Sequence, residues 1–178
     1  TTLTGGGSIG LSGSGNGRID GVANSGMEVV TNVDNTISGT GHFGAGNSVL
    51  FKNQAGGLVV ADQATALTIT PTTINSNGQI TTNGGGFVNQ GTLRATGAGG
   101  LVLSGGQFNN NGGTIEALTG STVWLQGGTT ISGGTLGRAS GGEVRTTANN
   151  SVNLDGVSQG TLTIAGNYVA GNNSVTNL

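Results

Sequence analysis

The side chains of this chain able to carry acid, base or metal chemistry are seven carboxylates, Asp20, Glu28, Asp34, Asp62, Glu116, Glu143 and Asp155, and one histidine, His42. Polysaccharide cleavage or calcium binding on a repetitive scaffold needs several carboxylates, often with Arg or Lys, gathered on adjacent repeats. Here they are scattered along the length, and the one local group, Arg18, Asp20 and Glu28, reads as a solvated turn. A single histidine supports neither a His-based zinc site nor a Ser-His-Asp triad, because no second ligand or placed acid accompanies it. Two Gly-x-Gly-x-x-Gly matches, Gly5-Gly7-Gly10 and Gly39-Gly41-Gly44, would cradle a pyrophosphate only between a strand and a helix. With 39 glycines in 178 residues, such matches arise by chance. Gly15 to Asp20 is a distant, unrepeated echo of the calcium nonapeptide. The glycosylation-type triplets Asn149-Asn150-Ser151 and Asn172-Asn173-Ser174 are equally expected by chance in a chain so rich in Asn and Ser. No enzyme activity, cofactor or metal is expected.

The elements that would hold any site follow from composition. Apolar residues make up 33% and aromatics 3%, too few for a thick globular core, whereas charged residues are only 7% and proline occurs once, which is not the usual composition of disorder. Thr, Ser, Asn and Gly mixed with Val, Ile and Leu suit strands and tight turns. Gly-free windows long enough for a helix, Met27 to Ser38, Leu58 to Asn77 and Glu143 to Asp155, are loaded with β-branched residues and Asn. An all-β chain follows. The five Lys and Arg are dispersed and the net charge is −2, which offers no footprint for nucleic acid and no basic face for an anionic membrane. Absent cysteine excludes disulfides and thiolate sites without deciding the compartment. A start at Thr1, no leader and no apolar run near 18 residues suggest a processed chain or an excised segment rather than a precursor or a membrane span.

Internal repetition is the strongest signal. Gly91-Thr92-Leu93 recurs as Gly113-Thr114-Ile115 and Gly134-Thr135-Leu136, at steps of 22 and 21 residues, and Gly160-Thr161-Leu162 is a candidate fourth copy after a longer step of 26. Nine residues after each of the first three threonines begin Leu101-Val102-Leu103, Val123-Trp124-Leu125 and Val144-Arg145-Thr146, and Phe108, Ile131 and Val152 mark a third strand. Strands recurring once per coil must pair in parallel with their equivalents, about 4.8 Å apart. The pattern predicts a right-handed parallel β-helix, a β-solenoid of roughly eight coils of about 21 residues and on the order of 40 Å long. It forms one domain over residues 1–178, clearest over 91–147. Leu58 to Val60, Leu67 to Ile69, Ile74, Ile80 and Phe87 read as further strands in less regular coils, and both termini carry looser coils.

Alternation along each strand sets the faces. Leu93, Ile115 and Leu136 should stack inward, as should Leu101, Val123, Val144 and Leu103, Leu125, Thr146. Arg94 beside Glu116 should form an exposed ion pair, and Trp124 beside Arg145 an exposed cation–π stack. Trp124 and Arg145 are the candidate contact residues, since an outward aromatic suits a pyranose face. Thr-x-Thr triplets at Thr2, Thr68 and Thr161 share no single coil period, so no ice-binding array is expected.

Phrases such as Asn89-Gln90-Gly91-Thr92-Leu93-Arg94-Ala95, Asn110 to Ala117 and Ile131 to Leu136 resemble the repeats of large bacterial adhesins of the filamentous haemagglutinin and autotransporter-passenger kind. The resemblance covers about a third of the chain, and its repeats carry little information beyond fold and surface location. The Asn-Pro-Asn-Gly secretion turn of the two-partner class and a membrane barrel are both missing. The resemblance implies an extracellular stalk or filament segment on a bacterial cell surface, with neighbouring β-helix coils or copies of itself end to end as partners. No cap is visible at either end. An adhesin module that itself contacts host or surface glycans is the alternative. Neither nucleic acid nor membrane insertion is expected.

Overall fold

The structure, a computed structural model, describes residues 1–22, 28–44, 49–71, 86–137 and 141–178. Three parallel sheets run through it, of eight, seven and seven strands. Each coil contributes one strand to each, in the order A, B, C. In one central coil these strands are Gln107–Asn109, Thr114–Ala117 and Thr122–Gln126. The chain is a parallel β-solenoid, with seven complete coils and an eighth begun by Val175–Asn177 in sheet A. No described residue is helical, in keeping with the cost of Gly and of β-branched residues in helices.

The stacking follows the repeat over its clearest stretch. Leu93 pairs with Ile115 and Thr114 with Thr135 in sheet B, while Leu101, Val123 and Val144 fall in register in sheet C. The inward columns of Leu93, Ile115, Leu136 and of Leu101, Val123, Val144 are closed to solvent, and so are Leu103, Leu125 and Thr146. Each apolar column extends to earlier coils through Val59 and Ile37 in sheet B and through Leu67 in sheet C. The glycine of the repeated triplet has a steric reason. A Cβ on Gly91 would collide with the carbonyl oxygens of Gly57 and Gln54, and one on Gly134 with that of Asn110. The A-to-B corners are stacked too tightly for a side chain there.

Two interior features fill the sheet A side. Phe51, Phe87 and Phe108 stack with ring centroids 5.0 and 5.5 Å apart, a separation typical of favourable aromatic pairs. Beside them, at the corner into sheet B, runs a buried asparagine ladder. Asn32 donates to Asn53 at 2.9 Å, Asn53 to Asn89 at 2.9 Å and Asn89 to Asn110 at 2.7 Å. The last amide has no asparagine above it and donates instead to carbonyls including that of Gly133, at 3.2 Å. The corners differ in length, from Gln90-Gly91 in one coil to residues 54–57 in another, yet every one returns to the same column. The asparagines satisfy corner backbone groups that water would otherwise have to reach.

Several expected registers are corrected. Ile131 stacks between Phe108 and Leu154, not Val152. The step is 23 residues there, and Val152, two residues earlier, still points inward. The fourth triplet copy is also displaced: Thr163, not Thr161, pairs with Thr135, and Ile164 with Leu136. Residues 156–161 form a longer corner and take up the difference. Ile9, Leu11, Ile19, Val29, Val30 and Ile37 lie in strands, whereas Val22 and Val33 do not. Ile74 and Ile80 lie outside the described residues.

Candidate functional site

Each sheet presents an outward face, and the expected contact residues lie on that of sheet C. Trp124 stacks between Val102 and Arg145, whose guanidinium carbon is 5.6 Å from the ring centroid. Arg145 Nε also lies 2.8 Å from Glu143 Oε1, two residues back on the same strand face. The cation–π stack is present. Trp124 is half-buried rather than exposed, because its indole also lies over Gly100, where a Cβ would meet Nε1 at 3.1 Å. With a cation on one side and backbone on another, the ring offers little free face to a ligand.

The remaining charges are likewise committed to the scaffold. Arg94 Nε donates to Glu116 Oε1 at 2.6 Å on sheet B, and Glu116 is only 6% exposed, so the expected exposed pair is half-buried. The backbone there brings Glu116 under the arginine on the next coil. Arg18 and Asp20 approach to 3.8 Å, while the Glu28 carboxylate accepts the Val22 amide at 2.6 Å. Asp34 accepts the amides of Gly5 and Gly6, so the first glycine motif already holds an anion of its own chain. Gly39 and Gly41 of the second motif sit at positive φ in a corner between sheets B and C, with a strand in place of a helix after them. His42 stacks between Arg18 and Thr68. Among the described residues no group of three His, Cys, Asp or Glu side chains is close enough to hold a metal ion.

Sheet A carries the one polar cleft whose construction is local and specific. Its floor is the outer face of successive strands: Gln107 and Asn109, then Thr130 and Ser132, with Val88 at the amino-terminal end. Its wall is the six-residue corner 156–161. In the preceding coil the equivalent corner is Gly133 alone, and a Cβ there would come within 2.7 Å of the Gln159 carbonyl oxygen. That single-glycine corner leaves room for the longer one to fold back across it. Gln159 then reaches two coils down, where its Oε1 accepts Asn109 Nδ2 at 2.9 Å. The enclosed cleft is about 270 Å³.

Asp155 anchors the wall. Its carboxylate accepts the Ser158 hydroxyl, the backbone amides of Ser158 at 3.0 Å and Val157 at 2.8 Å, and the Ser132 hydroxyl at 3.3 Å. The Ser158 hydroxyl, followed by the two amides, holds its pKa down at about 2. An acid that strong is a poor proton donor or base near neutral pH, and its oxygens already serve the loop. The cleft is therefore built for contact rather than proton transfer. Repeat spacing alone could not reveal it, although the longer step before Thr161 marked the corner that forms it. Comparison of the chain with family models, curated proteins and solved structures finds no match, so the meaning of these faces rests on their geometry.

Proposed function

We propose that this chain is an extracellular structural scaffold, a stalk or filament segment of a bacterial surface adhesin, and that it performs no catalysis. The observation that carries this reading is the continuity of the core. One apolar cluster extends from Leu11 to Leu154 through ladders that pass from coil to coil without a break between separate bodies. Such a core holds the coils at a constant rise and gives stiffness along the axis. The outer surface is mostly neutral Thr, Ser, Asn and Gly, with Arg94, Arg145 and most described carboxylates tied to their own chain.

Small-angle X-ray scattering over a concentration series tests the scaffold, paired with an assay for reducing ends released from a polysaccharide panel. A particle of constant cross-section, with an axial length on the order of 35 Å for seven coils, supports the reading. A length that grows in whole multiples with concentration supports the filament form. A loose or isotropic particle, or sustained release of reducing ends, overturns it.

A further inference from the structure

We propose that the cleft on the outer face of sheet A is a binding site for a neutral saccharide of one or two pyranose units. The inference goes beyond the scaffold reading and does not depend on it, because a spacer needs no cleft.

Three observations converge. An insertion in an otherwise regular solenoid commonly marks its binding face, and the corner 156–161 is longer than the one- to four-residue corners of the other coils. It also folds back over two coils instead of projecting into solvent, held by Asp155 at its base and by the Asn109–Gln159 bond at its tip. The walls are thus preorganised, which limits the ordering cost of binding.

The chemistry of the lining selects the ligand class. Amides of Gln107 and Gln159 and the hydroxyls of Thr130 and Ser158 offer both donors and acceptors, the mixture that sugar hydroxyls match. Among the described residues, no bond within the chain engages the Gln107 amide. No Lys or Arg lines the cleft, and its single charge is the Asp155 carboxylate, so phosphate, sulfate and uronate ligands are disfavoured. Lys52 stands one coil beyond Val88, outside the lining. A cation would have to displace the donors that already fill the Asp155 oxygens. An extended peptide could not add as a strand, because the floor strands are paired on both sides and present only side chains. Floor residues repeat at the strand spacing of about 4.8 Å, close to the length of one pyranose, so adjacent rungs can address adjacent sugars.

The test is a titration of the isotopically labelled chain followed by two-dimensional NMR. The probes are cellobiose, lactose and N,N′-diacetylchitobiose, with digalacturonic acid as the acidic comparison and a Ser-Gly-Thr peptide as the peptide comparison. Expected are saturable shifts from at least one neutral disaccharide at millimolar concentration. They should centre on the side-chain amides of Gln107, Asn109 and Gln159 and on the backbone of 157–159. Gln107→Ala/Gln159→Ala should weaken binding by about tenfold or more without changing the dispersion of the spectrum. If that double variant is poorly folded, Thr130→Val, nearly isosteric, reads the loss of one cleft hydroxyl in its place. The proposal is overturned if no neutral probe gives saturable shifts, if shifts centre on Trp124, if the variants bind as well as the parent, or if the acidic sugar or the peptide binds equally well.

Discussion

Asn109 and Asn110 are neighbours in sequence and stand on opposite sides of the same wall. Asn110 is fully buried, accepts from Asn89 and donates to corner carbonyls. Asn109 faces out, donates to Gln159 across two coils and helps shape the cleft. The interior column repeats at every coil from Asn32 to Asn110, whereas the exterior contacts form only where one corner is long enough to fold back. Residue type is the same in both places, so position in the coil decides whether an asparagine supports the solenoid or its surface.

The comparison can be broken most severely from inside. Leu125→Asp places an unpaired charge in a fully buried column and is expected to abolish cooperative unfolding of the central coils, a loss of several kcal/mol, visible as a missing thermal transition in circular dichroism. Asn110→Ala removes the top of the interior ladder and leaves the Asn89 amide short of an acceptor, with an expected cost of about 2 kcal/mol in urea denaturation. Arg94→Ala strands a nearly buried carboxylate, whose half-exposed partner limits the cost to about 1 kcal/mol by the same measurement. Trp124→Ser should cost about as much and leave the fold intact. Asn109→Ala, one residue from the severe change, should fall within about 0.5 kcal/mol of the parent. Near-equal costs for Asn109→Ala and Asn110→Ala would refute the inside-outside contrast.

Acid sharpens the same contrast. Because the Asp155 pKa is lowered in the folded chain to about 2, its contribution is fully present above the ordinary carboxylate range and is lost as pH falls through about 2. Between roughly pH 4 and pH 2 the corner 156–161 should loosen while the buried amides, which do not titrate, stay in place. Hydrogen exchange at the Val157 and Ser158 amides should quicken in that window, with sheet ladders unchanged. Simultaneous exchange of both would show that the corner is not an independent unit.

The central coils were legible in the sequence because their spacing is constant and every second residue obeys one face. Registers beyond Ile131 were not, for a physical reason: a slip of two residues keeps each side chain on its own face. Val152 and Leu154 are therefore interchangeable by pattern, and only backbone pairing selects Leu154. The asparagine ladder was hidden by its own chemistry, since Asn ahead of a glycine reads as an ordinary turn residue. Its signal was an Asn two or three residues before each triplet glycine, at Asn89 and Asn110. The cleft depends on a corner reaching over its neighbour, and no local rule specifies that contact.

The coil-by-coil register also determines how the chain would yield to a pulling force. Tension on the two ends peels a solenoid one turn at a time, and each peeled turn pays out the backbone between stacked positions. Phe87 to Phe108 spans 21 residues, enough for an extension on the order of 70 Å. Phe51 to Phe87, stacked just as closely, spans 36 residues and would release on the order of 120 Å. A force–extension trace should therefore show a train of near-equal steps interrupted by one long one, a length signature that marks the unequal turn within an otherwise even spool.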